Sequence, residues 1–236
     1  MSITLTSEAR VVAVVAHPDD DALMFYGTLR LWRSTGATVT VLVATHGANG
    51  VSVADHAAGL RLTTTQRLTE IQTSYQDTGI AVECLGLEDG ALIADRELVT
   101  VIEAELIRLS CTVLLTHALH TGVDHQDHLA VARAALNAAA RVPTCTTILH
   151  GKPHAPRHEF TTSVLVDITP YMADKIKALQ AHGSQAGRYY LTEDYTRWRA
   201  AGPGWTLLPT QAGESRSFEE LAPSLLLLSQ PAEPRR

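Results

Sequence analysis

Two short stretches of the chain concentrate side chains that bind metal ions and move protons. The first is Ala16-His17-Pro18-Asp19-Asp20-Asp21, and the second is Asp124-His125-Gln126-Asp127-His128. Three consecutive carboxylates repel one another unless a cation or several hydrogen-bond donors hold them. Asp21 has the position of a helix cap, which leaves Asp19 and Asp20 without a structural purpose. In the second stretch Asp127 fits a helix cap, which puts His128 in the first helical turn. Imidazole with carboxylate is a standard ligand set for first-row metals, zinc among them. Two histidines and one aspartate leave coordination positions open for water and substrate, as a catalytic ion needs, whereas structural zinc is normally closed by four protein ligands. A single loop histidine is more often solvated or hydrogen-bonded than a ligand, so the pairing of the two clusters carries this reading.

The elements around these clusters set where they fall. Residues 11–16 are an uninterrupted apolar, β-branched run, the pattern of a strand buried on both faces. The run breaks at His17-Pro18, and a helical pattern follows over residues 22–33 until Gly36. Further strands are expected at 38–45, 80–85, 112–116 and 146–150. Helices are expected between them at 64–78, from the cap at Asp95 to 109, and at 127–141. This alternation predicts an α/β fold of three-layer, Rossmann-like form, a mostly parallel sheet with helices on both faces. His17, His46, His117 and His150 then each lie at or just after the carboxyl end of a strand, the edge where open parallel sheets bind ligands. A further strand is expected at 162–168, a helix opened by Thr169-Pro170 runs to 182, and a shorter one covers 192–201. Residues 201–213 are rich in Gly and Pro and read as wrapping chain. No repeat or linker divides the sequence. It reads as one domain over 1–236, with a core at about 10–185, a C-terminal wrapping segment at about 186–230, and a disordered tail at 231–236.

Composition narrows the partners. With 19 Lys and Arg against 25 Asp and Glu, the chain has no basic face for nucleic acid. At 5% aromatic content it offers no stacking platform for single strands. No apolar run is long enough to span a bilayer, and the first ten residues lack the pattern of a secretory signal. Cys84, Cys111 and Cys145 stand far apart in apolar surroundings, as reduced thiols of a cytoplasmic protein do. A small-molecule partner is expected, without nucleic acid or membrane, and a homo-oligomer is compatible with this composition.

Together these stretches resemble the LmbE/PIG-L family of zinc-dependent N-deacetylases, whose hallmarks are A-H-P-D-D-E after the first strand and H-P-D-H much later. Three other places are similar to that family: Arg67-Leu68-Thr69-Glu70 to its R-x-x-E, Leu85-Gly86-Leu87-Glu88-Asp89-Gly90 to its L-G-x-x-D-G turn, and Lys175 through Ala178-Leu179 to His182-Gly183-Ser184-Gln185 to its late K-x-x-A-L-x-x-H-x-S-Q. The likeness runs from about residue 10 to 185 in the right order. It implies Zn2+ held by His17, Asp20 and His128, with Asp19 as general base. It also implies that His125 stabilises the oxyanion or protonates the leaving amine, with Arg67 and Asp89 as substrate-binding candidates. For Arg67 the plainer alternative is an exposed helix arginine paired with Glu70.

The implied reaction is removal of an N-acetyl group from an amino sugar or related small metabolite by an activated water. Zinc lowers the pKa of water to roughly 7. Hydrolysis of another amide or of a carbamate in secondary metabolism is the alternative within enzymes. A non-catalytic sugar- or nucleotide-binding module is the alternative outside them. Asp19 and His125 argue against that module, since a binder needs neither base nor acid, and residues 11–28 contain only Gly27, so no dinucleotide fingerprint is present. Three positions depart from the family pattern. Asp21 replaces its usual glutamate, Gln126 its common proline, and Val123 stands where some sugar-deacetylating members carry tyrosine, which weakens the case for a thiol-cofactor precursor. His117, His120, His150 and His154 are further candidates to line a pocket, without an assigned role.

Overall fold

Strand β1 (Arg10–Val15) is buried from Val11 onward because it has a core on each side. Val11, Ala13 and Val15 face one apolar cluster, and Val12 and Val14 face the other. The computed structural model describes residues 7–120, 122–154, 160–207 and 216–226, with main chain only over 203–207. β1 pairs in parallel with β2 (Thr38–Thr45) on one side and β4 (Val113–His117) on the other. β3 (Ala81–Leu87) extends the parallel sheet beyond β2, and β5 (Thr147–Gly151) extends it beyond β4. β7 (Phe218–Leu226) adds antiparallel to β5, and β6 (Val164–Asp167) antiparallel to β7, giving the order β3-β2-β1-β4-β5-β7-β6.

Helices cover both faces, as the alternation predicts. α5 (Arg96–Arg108) and α6 (Gln126–Ala139) close one core through Leu98, Ile102, Leu106, Val131 and Ala135. α1 (Asp20–Met24), α2 (Tyr26–Ser34), α4 (Thr64–Ser74), α7 (Met172–Gln180) and α8 (Glu193–Leu207) close the other. α3 (Val53–Ala57) has no buried residue and lies outside both cores. Asp95 caps α5 by accepting from Leu98 N, and Thr63 caps α4 by accepting from Gln66 N. No helix among the described residues is long and apolar enough to cross a membrane.

Three expectations are corrected. The helix expected over 22–33 starts at Asp20 and breaks at Phe25, giving α2 its own N-terminus. Two backbone N–H groups of that terminus, on Gly27 and Thr28, donate to the Glu219 carboxylate at 2.9 and 2.8 Å. A carboxylate is favoured there by the helix dipole and the unsatisfied amides. Second, Thr169-Pro170 opens a 3-10 turn, Thr169–Tyr171, and α7 begins only at Met172. Third, within the stretch expected to wrap the core at 186–230, the helix expected over 192–201 runs on to Leu207 as α8, and Phe218–Leu226 forms β7, an interior strand. The tail at 231–236 lies outside the described residues.

β7 is tied to the rest of the molecule by a buried ion pair. Lys175 Nζ donates to Glu219 Oε1 at 2.7 Å and to Leu23 O at 2.9 Å, and both charged side chains are almost wholly buried. Removing one member of such a pair leaves an uncompensated charge in the interior. Glu219→Ala is therefore expected to lower unfolding free energy by about 3–5 kcal/mol, read from the urea midpoint. Replacing both Lys175 and Glu219 by apolar residues of similar volume is expected to recover a large part of that loss.

Candidate functional site

The strand order reverses at β1, whose chain neighbour β2 lies on one side while β4 lies on the other. At the carboxyl ends of β1 and β4 this leaves a crevice, the general place for ligands in such sheets. His17 leaves β1, His117 ends β4, and His125 and His128 open α6. His17 Nδ1 lies 3.2 Å from His128 Nε2 and 3.3 Å from Asp20 Oδ2, while His128 Nε2 lies 3.2 Å from Asp20 Oδ1. Tetrahedral coordination with bonds of about 2.0–2.1 Å requires donor atoms about 3.3–3.4 Å apart. The three side chains thus converge at the spacing a first-row cation needs, with one Asp20 oxygen toward each ring.

The carboxylates behind the two rings select which nitrogens face inward. His17 Nε2 lies 3.2 Å from both Asp127 Oδ2 and Asp89 Oδ1, and His128 Nδ1 lies 2.8 Å from Asp124 Oδ1. A carboxylate on one ring nitrogen holds the proton there and leaves the other lone pair for a metal. Burial pulls His17 down, but the hydrogen bonds to Asp127, Asp20 and Asp89 outweigh it and hold its pKa well above the ordinary value. Burial likewise opposes His128, yet Asp20 and Asp124 raise it to about 9. Burial would raise Asp20, but His128 and His117 hold it well below the usual carboxylate range. Protons and a cation compete for the same inward-facing atoms.

Other nearby histidines are committed elsewhere. Among the described residues, ligand atoms of His17, His125 and His128, of Asp20, His117 and His128, and of His17, Asp89 and Asp127 lie within 4.8 Å of one another. However, His117 Nε2 accepts from Ala16 N at 3.0 Å, which uses its lone pair. Burial, followed by the charge of His128, lowers His117 to about 4 and keeps it neutral. His125 Nδ1 accepts from Asp127 N at 3.2 Å as the cap of α6, so its Nε2 carries the ring proton. Burial, then His17 and His128, lowers the His125 pKa, which favours the neutral ring. His150 Nδ1 contacts His117 O at 2.6 Å, outside the metal triangle.

Two aspartates have other duties than helix capping. Asp127 is fully buried and accepts from Gly90 N at 2.7 Å and Leu92 N at 3.1 Å, so it joins the β3–α5 turn to His17. Asp21 is also fully buried, and Tyr75 Oη donates to its Oδ2. Burial pushes the Asp21 carboxyl up to about 7, opposed by that hydrogen bond.

Asp19 stands beside the triangle with φ 118°, in the left-handed region that few residues other than glycine adopt. Its carbonyl accepts from Leu23 N at 2.9 Å, and its Oδ2 lies 3.2 Å from Arg67 Nη2. Burial raises the Asp19 pKa to about 6 against the pull of Arg67. Arg67, expected at the substrate or as an exposed surface pair, lines the cavity over these groups yet is only 2% exposed. Its guanidinium donates to Pro18 O, to Glu70 Oε2 at 2.9 Å and to Ser184 Oγ at 3.2 Å, so it buttresses Asp19. The pairing with Glu70 holds, but in the interior. Gly47, at φ +63°, permits this packing, because a Cβ there would come 2.8 Å from Pro18 Cδ and 3.3 Å from Arg67 Nε.

A cavity of about 600 Å³ opens over these groups, with Asp19, Asp20, His125, His128 and Asp89 in its wall. Asp89 faces the cavity, yet Asn49 N donates to its Oδ2 at 2.6 Å and its Oδ1 lies on His17. It therefore orients His17 and the 47–50 loop. Tyr189, Tyr190 and His154 also line the cavity. Sequence reasoning assigned His154 no role and did not single out the tyrosines.

Residues 12–139 match the family described as PIG-L: GlcNAc-PI de-N-acetylase. A relative from Saccharopolyspora erythraea, 1D-myo-inositol 2-acetamido-2-deoxy-alpha-D-glucopyranoside deacetylase 1, is 26% identical, and the match covers 78% of this chain and 80% of that one. The probable N-acetyl-alpha-D-glucosaminyl L-malate deacetylase 2 of Bacillus cereus is 30% identical over 75% of this chain and 84% of its own. Among solved structures, N,N'-diacetylchitobiose deacetylase from Pyrococcus horikoshii superposes with a TM-score of 0.73 at 20% identity, covering 91% of this chain and 84% of that one. GalB, the 4-carboxy-2-hydroxymuconate hydratase of Pseudomonas putida KT2440, superposes with a TM-score of 0.78 at 20% identity, covering 96% and 100%.

The outer carboxylates give a test separate from the ligands themselves. Asp124→Asn is expected to weaken binding of a first-row divalent cation about 10–100-fold, measured by competition with a chelator. His128→Ala is expected to abolish stoichiometric binding. An unchanged affinity in Asp124→Asn would remove the role given to that carboxylate.

Proposed function

Because the chain belongs to the PIG-L family, we propose that it is a zinc-dependent hydrolase that removes an N-acetyl group from an amino sugar or related small metabolite. The observation that carries this reading is the convergence of His17 Nδ1, His128 Nε2 and the two Asp20 oxygens, at 3.2–3.3 Å, beside a buried carboxylate, that of Asp19, which is not part of the group. His17, Asp20 and His128 would hold the ion. Zinc bound there would supply Lewis acidity to the attacking water and the scissile carbonyl.

The chain's own groups account for the proton movements. Asp19, raised toward neutrality by burial, takes a proton from water as its oxygen attacks the amide carbon. Arg67 holds the Asp19 carboxylate in one orientation, so no rearrangement is needed before proton transfer. His125 presents Nε2–H across the crevice, with its ring centroid 4.7 Å from that of His17. As a neutral donor it stabilises the oxygen on which negative charge develops. Asp19 then returns the proton to the departing amine, and acetate and a free amine are the products. A reducing, cytoplasmic setting is supported by Cys84, Cys111 and Cys145, all free thiols.

Acetate release by the purified protein over a panel of N-acetylated amino sugars, with metal content measured in parallel, tests the reading. The panel includes the glucosaminyl inositol and glucosaminyl malate conjugates on which the relatives are named to act. Activity is expected to vanish on chelation and to return with zinc. Asp19→Asn is expected to keep its metal and lose about 10²–10⁴-fold in turnover. His125→Ala is expected to lose about 10²–10³-fold, mainly in kcat. Full activity in Asp19→Asn would overturn the mechanism.

A further inference from the structure

Aromatic rings form a continuous track from the metal triangle to the protein surface. His154 stands 5.6 Å from His128, centroid to centroid, and 4.5 Å from Tyr190. Tyr190 lies 5.4 Å from Tyr189, Tyr189 lies 5.3 Å from Tyr195, and Tyr195 lies 5.6 Å from Trp198. Tyr189, Tyr190, Tyr195 and Trp198 fall within one short stretch of a chain that is only 5% aromatic. Two side-chain hydrogen bonds to distant main chain anchor this stretch. Arg188 Nη2 donates to Gly50 O at 3.2 Å just before the two tyrosines, and Tyr195 Oη donates to His154 O at 2.6 Å.

Core packing does not account for the outer rings. Tyr189 is 56% exposed and Trp198 68% exposed. Exposed aromatic rings beside a cavity are available to a ligand. Tyr189 and Tyr190 themselves line the cavity that holds Asp19 and His125, which ties the track to the substrate and not to a separate partner. A cavity of about 600 Å³ also lies in the size range that takes drug-sized ligands, more than one hexosamine ring fills.

We infer that the substrate extends beyond the acetamido sugar into a second ring with a flat apolar face, seated on Tyr189 and Tyr190, with Trp198 receiving longer substrates at the outer end. This rests on reading the site as an amino-sugar deacetylase. The second ring can be another sugar, whose C–H face packs on an aromatic ring, or an aryl aglycone, which stacks on it. Rigid aromatic side chains give such contacts at small conformational cost.

The test uses deacetylated compounds, so that binding is read without turnover. Glucosamine, chitobiose, chitotetraose and 4-nitrophenyl glucosaminide are titrated calorimetrically into wild type, Tyr189→Ala, Tyr189→Phe and Trp198→Ala. Chitobiose or the aryl glycoside is expected to bind wild type roughly threefold to tenfold more tightly than glucosamine. Whichever of the two gains more identifies the second ring. Tyr189→Ala is expected to erase that gain and Tyr189→Phe to keep it. Trp198→Ala is expected to lower only the further gain of chitotetraose. Equal wild-type affinity for one- and two-ring compounds would overturn the inference, as would an equal loss for glucosamine in Tyr189→Ala. If the N-acetylated counterparts release no acetate while this binding pattern persists, the deacetylase reading fails and the aromatic subsite stands.

Discussion

Two imidazole nitrogens 3.2 Å apart, both aimed at one point that a carboxylate also faces, form an arrangement that depends on where the ring protons are held. Asp89 and Asp127 sit behind His17 and share its one outer N–H, and Asp124 sits behind His128 and accepts from its outer N–H. Those carboxylates come from different parts of the chain. Asp89 lies in the turn after β3, Asp124 precedes α6, and Asp127 lies in its first turn. Fixing the rings therefore also fixes the ends of β1, β3 and β4 against one another. Asp127 can be fully buried in this role because Gly90 and Leu92 donate backbone N–H groups to it. The turn that presents Gly90 N requires φ +82° there, which glycine adopts without penalty.

Asp19 extends the same dependence to the other core. A non-glycine residue at φ 118° costs of order 1–3 kcal/mol, and it persists only where its surroundings over-determine it. Here the carbonyl of Pro18 and the carboxylate of Asp19 are both held by one guanidinium, that of Arg67. Glu70 holds Arg67 in turn, and Ser184 donates to Glu70 through both its backbone N at 2.8 Å and its hydroxyl at 2.7 Å. Among the described residues Arg67 Nε has no hydrogen-bond partner, so the network is not there to maximise stability. Its geometric effect is to point one carboxylate into the cavity beside the metal triangle without letting it become a ligand. That is how a segment around residue 184, remote in sequence, reaches the reacting atoms.

The parallel strands and the approach of His17 to Asp20 were legible because their information is local. His17 and Asp20 are three residues apart, and His17 N donates to Asp20 Oδ2 at 2.8 Å, so a short loop sets most of their relative geometry. His128 is legible from its place at the start of an amphipathic helix. The misreadings share a different cause, polar groups satisfied by distant partners. Asp127 and Asp21 each precede or open a helix, where a short carboxylate looks like a cap, and only the position of Gly90 or Tyr75 reveals otherwise. Arg67 and Glu70 look like a surface pair at helical spacing until Asp19 and Ser184 arrive from elsewhere. Glu219 and Pro223 disguise β7 in the same way. The glutamate is buried on Lys175 and α2, and the proline is accommodated at a register shift against β5. The break at Phe25 follows from that glutamate too, which no reading of residues 22–33 could contain.

The division between a rigid floor and irregular walls has a consequence for specificity. A hydratase and a sugar deacetylase both superpose on this chain at TM-scores above 0.7, so the architecture fixes where chemistry occurs and not which reaction is performed. The floor, made of strand ends and helix starts, supplies His17, Asp20, His128 and Asp19. The walls come from the loop around Asn49 and Gly50 and from the segment bearing Tyr189 and Tyr190. α3, adjoining that loop, buries nothing. Substitutions in the walls disturb little packing, whereas Gly47, Arg67 and Asp127 are each held by several groups at once. Selection for a new substrate is therefore expected to act on the walls, because the floor cannot change one residue without moving the geometry of the rest.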